Sequence, residues 1–361
     1  MLRFIASLAI LVVAVSTNAS AADSSAKFVG SLGCKSSSCH GGAGEKRSQY
    51  ITWSQKDFHT RAYTILLDAR SARIGEALGL PQPQSSARCT ICHSPFQSIA
   101  ADRLASTARP DEGVSCENCH GAAEPWLRGH TRSDWTYATR VSAGMHDLRN
   151  LYLRANACVA CHQNVEADIL RAGHPELVFE LDSQSNNEPK HWREDDSAIA
   201  PRSWLIGQAV ALREIIWQLN KSPETERNRL FTQASALTWL LDKAGVGEDV
   251  SKFSSFPGIQ ARADEIAQHA AKWNPTNDAL MSILQTLAGS DSEFQMANGA
   301  RDDSFYRALR LTLALDRLSA ALNLSPKIDK ELNALRVDVQ RHYDFDAAAF
   351  AGHLRALRQK L

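Results

Sequence analysis

The 361-residue sequence predicts a mainly α chain made of two unlike halves. Two observations predict it. From Pro201 onward, apolar residues step by three and four through one segment after another, with Gly, Pro and Asn between the segments. That is the pattern of an antiparallel helical bundle with short loops. Before it, between Cys34 and His174, regular periodicity is scarce, and all eight Cys of the chain fall there in four pairs, each followed directly by a His.

The pairs read Cys34-Lys-Ser-Ser-Ser-Cys39-His40, Cys89-Thr-Ile-Cys92-His93, Cys116-Glu-Asn-Cys119-His120 and Cys158-Val-Ala-Cys161-His162. Three are C-x-x-C-H, the attachment signature of c-type haem, and the first has two more residues between its Cys. Each pair can form thioethers to the two vinyl groups of one porphyrin, and the adjacent His can ligate the same iron. Zinc is the competing use of Cys pairs, but a zinc site needs no His directly after each pair. The sequence therefore predicts four covalently bound haem c. The fold class becomes a multihaem c-type cytochrome domain with few regular elements, followed by the antiparallel helical bundle. Large apolar porphyrins can supply a core that the chain itself lacks.

In chain order, residues 1–22 read as a signal peptide. Arg3 is followed by the apolar stretch Phe4 to Val15, which is short for a membrane span, and by small residues around Ala19 and Ala21. No other run is long and apolar enough to cross a bilayer, so the mature chain is expected to be soluble and exported, in the periplasm or otherwise. A tetrahaem domain is expected over 23–182. It opens with an extended lead-in, then one or two helices over Gln49 to Leu80, whose apolar face holds Ile51, Trp53, Phe58, Ala62, Ile65, Leu66 and Leu67. A short helical stretch over Ile99 to Ser106, a loop-rich segment over 121–145 and a helix from Leu148 to His162 follow. Residues 183–200 are polar and read as a linker, or as a surface loop packed on a haem edge through His191 and Trp192. The helical domain is expected over 201–361, with breaks at Ser222-Pro223, Gly245, Asn274-Pro275, Gly289 and Ser325-Pro326.

Lys plus Arg is 40 and Asp plus Glu is 40, and removing Arg3 with the signal segment leaves 39 against 40. No concentrated basic face is present, which argues against a nucleic-acid partner. The expected partners are redox proteins that donate and accept electrons.

The ligand on the far side of each iron decides what a haem does. Beside the motif residues His40, His93, His120 and His162, the Cys-bearing half holds four spare histidines: His59, His130, His146 and His174. All four are candidate distal ligands. His269, His342 and His353 in the helical half are read as ordinary histidines.

The order and spacing of the motifs resemble those of the tetrahaem cytochrome c-554 family. So do the segments around Trp53 to Tyr63, Gly129-His130 and Ala172-Gly-His-Pro-Glu-Leu-Val-Phe179; the resemblance covers about residues 30–182. It implies a periplasmic, mostly helical protein with stacked haems within electron-transfer distance. It also implies His40, His93, His120 and His162 as proximal ligands, His59, His130 and His174 as distal ligands, and an open iron on the Cys89/Cys92/His93 haem. The first motif is two residues longer than the family pattern, and the helical half extends beyond it.

These readings favour an electron carrier over an enzyme. The alternative is a small-molecule reductase, for nitric oxide, hydroxylamine or a similar compound, using one five-coordinate haem with Arg88, Arg103 or Arg128 nearby. The helical half is expected either to present a docking surface or to cover haem edges.

Overall fold

The computed structural model describes residues 25–194, 196, 198–247, 255–295 and 301–361. The expected signal peptide lies outside the described residues. The described chain is helical, with no strand beyond one parallel bridge between Phe28 and Leu104.

The helical half is built around Ile199–Lys221. This helix is apolar nearly all round: Trp204, Ile206, Ala209, Val210, Leu212 and Ile215 are completely buried. Such a helix belongs in the interior, and each Leu or Ile buried this way adds about 1.5–3 kcal/mol. It packs on Glu224–Lys243, Phe256–Ala270 and Arg301–Ala321, and also on Leu151–His162 and Leu181–Asn187 of the Cys-bearing half. It thus carries one apolar core across both halves. It begins two residues before the expected Pro201, which is tolerated because a first-turn residue has no intrahelical N–H bond to lose. Asn277–Ala288, Ser292–Gln295, Ser325–Asp338 and Ala347–Arg358 complete the set of α-helices in this half among the described residues. Local chemistry fixes their ends: Thr276 and Asp346 cap with their side chains, and Gly245 closes Glu224–Lys243 at φ 67°. Gly207 lets the start of Leu181–Asn187 approach closely, since a Cβ there would lie 2.7 Å from the Leu181 nitrogen.

The Cys-bearing half is a series of short helices and turns. The expected helical run over Gln49 to Leu80 is broken into Gln49–Lys56, a 3-10 turn at Phe58–Arg61, Ala62–Ile65 and Ala69–Ala77. Asp57 has extended backbone, which resets the helical phase. The expected apolar face is therefore split: Trp53 and Leu66 are buried, the Trp53 Nε1 donating to the Val114 carbonyl, while Phe58, Ile65 and Leu67 are exposed. The expected helix over Ile99 to Ser106 is only a 3-10 turn at Ala101–Arg103, because Leu104 and Ala105 instead bridge to Phe28.

Two carboxylates, one buried and one partly buried, hold the start of this half together. Glu117, inside the third motif and 2% exposed, accepts from the backbone N–H groups of Val29 (3.0 Å), Gly30 (2.6 Å) and Ala123 (2.6 Å). Glu112 accepts from Ser31 through both backbone and hydroxyl. Together they pin the N-terminal segment against the third motif. The described part of 183–200 is no free tether: Glu188 reaches His59, and Glu194 pairs with Arg154 of Leu151–His162 at 2.5 Å.

Candidate haem-binding site

Three motifs lie on helices: Ala87–His93, Cys116–His120 and the end of Leu151–His162. C-x-x-C on a helix puts the two thiols one turn apart on one face, and the following His closes the same turn. The longer first motif reaches a comparable end by looping out its insert. Ser31–Cys34 is helical, Ser36 to Cys39 form a turn, and the His40 N–H bonds back to the Cys34 carbonyl at 3.2 Å.

The motifs cluster. The Cys34 side chain lies beside that of Cys116, and the Cys92 side chain beside that of Cys161. Cys119 feels the charge of Cys158, and Cys161 feels both. None of the eight Cys is in a disulfide.

Each motif histidine faces a second histidine. The ring centres are 6.0 Å apart for His40 and His130, 5.9 Å for His162 and His59, 6.3 Å for His93 and His174, and 6.3 Å for His120 and His191. A metal–imidazole bond of about 2.0 Å, with the ring centre about 1.2 Å behind the nitrogen, would set two imidazoles on opposite sides of one metal about 6.4 Å apart. All four pairs fall within half an ångström of that separation.

The second ring nitrogens agree. Nδ1 is engaged by Gln49 Oε1 in His40, by the Ala62 carbonyl in His93, by the Leu127 carbonyl in His130 and by the Pro175 carbonyl in His174. An acceptor on Nδ1 fixes the proton there and leaves the Nε2 lone pair for a metal. Burial lowers the pKa of His93, His130 and His162, and brings His120 down to about 4, with further contributions from His191, His40 and His146. Neutral imidazole is the form that binds iron. His59 differs: its Nδ1 lies 3.0 Å from Asp57 and 3.3 Å from Glu188, and these two carboxylates raise it to about 10.

The surroundings also suit a porphyrin. Phe58, Ile65, Leu67 and Ile91 are large apolar side chains exposed on this half, and they offer the apolar surface that an apolar macrocycle covers. The residues present therefore fit haem: thiol pairs, four facing imidazole pairs in which His40, His93, His130 and His174 are held at Nδ1, and apolar flanks.

The structure brings His59, His130 and His174 opposite motif histidines, but not His146. The His146 N–H bonds to the His120 carbonyl, its Nδ1 engages the Cys119 carbonyl at 2.9 Å, and its ring fills the space beside Gly121, where a Cβ would lie 2.8 Å from it. The ring opposite His120 is instead His191, stacked edge-on with Trp192. Sequence reasoning leaves His191 in a linker or in a surface loop packed on a haem edge, and does not count it among the distal ligands. The available signal is the His191-Trp192 pair standing in an otherwise polar stretch. The resemblance implies an open position at His93, yet His174 stands across from it. Arg88 is paired with Glu166 and Asp168, and Arg103 donates to the Ala26 carbonyl, so both serve the fold.

Residues 33–121 match the family described as cytochrome c554 and c-prime. The matched segment holds the first three motifs and is about a quarter of the chain. Comparison with curated proteins and with solved structures finds no match. No described helix is long and apolar enough to cross a membrane.

Proposed function

We propose that this chain, whose residues 33–121 match the cytochrome c554 and c-prime family, is a periplasmic tetrahaem c-type cytochrome that relays single electrons between redox protein partners. The observation that carries this reading is the set of four facing histidine pairs, at 5.9–6.3 Å between ring centres. His40 with His130, His93 with His174, His120 with His191 and His162 with His59 would hold the four irons. The eight motif Cys would tether the porphyrins.

Bound haem supplies a one-electron Fe(III)/Fe(II) couple, and two imidazole ligands close the iron to small molecules. The chain's own task is then to fix ligands, exclude water and hold the haems close. The neighbouring thiols support a continuous path: Cys34 beside Cys116, Cys119 near Cys158, and Cys161 beside Cys92. The first and third haems would thus adjoin, as would the third and fourth, and the fourth and second. The helical half backs this array, since Ile199–Lys221 packs directly on Leu151–His162.

A reductase needs an open iron, and the four facing pairs weigh against one. The test is a haem count on the purified protein together with carbon monoxide added to the reduced form. The carrier reading expects four haems and no carbon monoxide adduct. Stoichiometric binding at one haem in four would overturn it in favour of the reductase.

A further inference from the structure

Among the histidines of the Cys-bearing half whose Nδ1 meets an acceptor, His59 is set apart by the nature of that partner. His93, His130 and His174 meet backbone carbonyls and His40 meets a neutral amide. His59 meets two carboxylates: Asp57 Oδ1 at 3.0 Å and Glu188 Oε2 at 3.3 Å. Asp57 is 5% exposed. It is held in place as the cap of the Phe58–Arg61 turn, where it also accepts from the His59 backbone N–H at 2.8 Å. Glu188 arrives from the other direction, just after Leu181–Asn187, and lies beyond the family match at 33–121. Two chain segments far apart in sequence therefore converge on one imidazole nitrogen.

We infer that Asp57 and Glu188 are positioning residues that make the haem of Cys158, Cys161 and His162 the lowest-potential haem of the four. The inference rests on the proposed pairing of His59 with His162. The physical reason is direct. A carboxylate accepting from Nδ1–H holds the proton on Nδ1, leaves the Nε2 lone pair for the iron, and pushes electron density onto Nε2. A more basic imidazole stabilises Fe(III) over Fe(II). A carbonyl or amide acceptor does this less than a carboxylate, because charge-assisted hydrogen bonds are roughly twice as strong as neutral ones. Low potential at this position means that this haem holds its electron least tightly and passes it on.

The experiment is an optical redox titration of the holo-protein beside Asp57→Asn, Glu188→Gln and the double variant, with electron paramagnetic resonance on each. Asn at 57 keeps an oxygen for the cap, and Glu188→Gln leaves the cap untouched, so at least one variant reads the hydrogen bond without the fold. The expected result for the double variant is that the lowest of four one-electron components moves upward. Its Fe(III)/Fe(II) equilibrium should change about tenfold, which is about 59 mV for one electron. The other three components should stay in place and the irons should stay low-spin. No shift, or a shift confined to another component, in a protein with four low-spin haems overturns the inference and leaves the carrier reading standing. Fewer than four haems, or a high-spin fourth haem in the unsubstituted protein, overturns both. The three groups also bring ligand atoms within 4.8 Å of one another, as a cation site would. If added calcium or zinc moves the lowest component in the parent and not in the double variant, the carboxylates serve a cation and the inference fails.

Discussion

Replacing Glu117 removes the side chain that holds the N-terminal segment against the third motif. Its Oε1 takes the N–H groups of Val29 and Ala123, and its Oε2 takes that of Gly30. Burial raises the carboxyl above its ordinary value, while the three N–H donors oppose that rise. In Glu117→Ala all three donors are orphaned. At about 1–3 kcal/mol for each unpaired buried donor, less the relieved cost of burying the carboxylate, the loss is about 4 kcal/mol. Glu117→Gln can keep the two bonds to its oxygen, but it turns an NH2 group toward the Gly30 N–H. That costs one bond and adds a donor–donor contact, about 2 kcal/mol. The assay is urea unfolding of the holo-protein followed by circular dichroism, comparing midpoints at unchanged slope. The expected order is Glu, then Gln, then Ala. Equal midpoints for Gln and Ala, or a neutral Ala variant, would refute the three-donor account.

Two further outcomes follow from buried groups in the core. Glu180, fully enclosed beside Gln208, is raised to about 7, first by burial. Its raised value means that its contribution to stability is present below about pH 4.5 and lost as the pH climbs through about 7, so Glu180→Gln should flatten the stability profile by about 3 kcal/mol between pH 4 and 8; parallel profiles for parent and variant would contradict this. Gly207→Ala places a methyl 2.7 Å from the Leu181 nitrogen. It should cost about 1–3 kcal/mol by overpacking, read as a lower thermal midpoint of the holo-protein, and an unchanged midpoint would show that the two helices separate freely.

The helical half is legible because its chemistry is local. Leu205, Ala209, Leu212 and Ile216 share one face by spacing alone, and Thr276, Asp346 and Gly245 mark ends with their own geometry. The motif residues are legible for the same reason, since two Cys and a His within one turn need no tertiary information. The facing histidines are not local. His146 lies between the third and fourth motifs in sequence, yet the chain turns at Gly121 and aims the His146 ring at the Cys119 carbonyl. His191 sits in a polar stretch without periodicity, and only the packing of 188–194 onto the Cys-bearing half carries it to His120. The phase break at Asp57 is hidden likewise, because a single extended residue leaves no mark in the apolar pattern.

The most direct test of the four-pair account is electron paramagnetic resonance of the oxidised holo-protein, taken beside His191→Ala and His146→Ala. The account predicts only low-spin haem in the parent and in His146→Ala. It predicts one high-spin haem in four in His191→Ala. A high-spin haem in the parent, or one that follows loss of His146 while loss of His191 is silent, would contradict it.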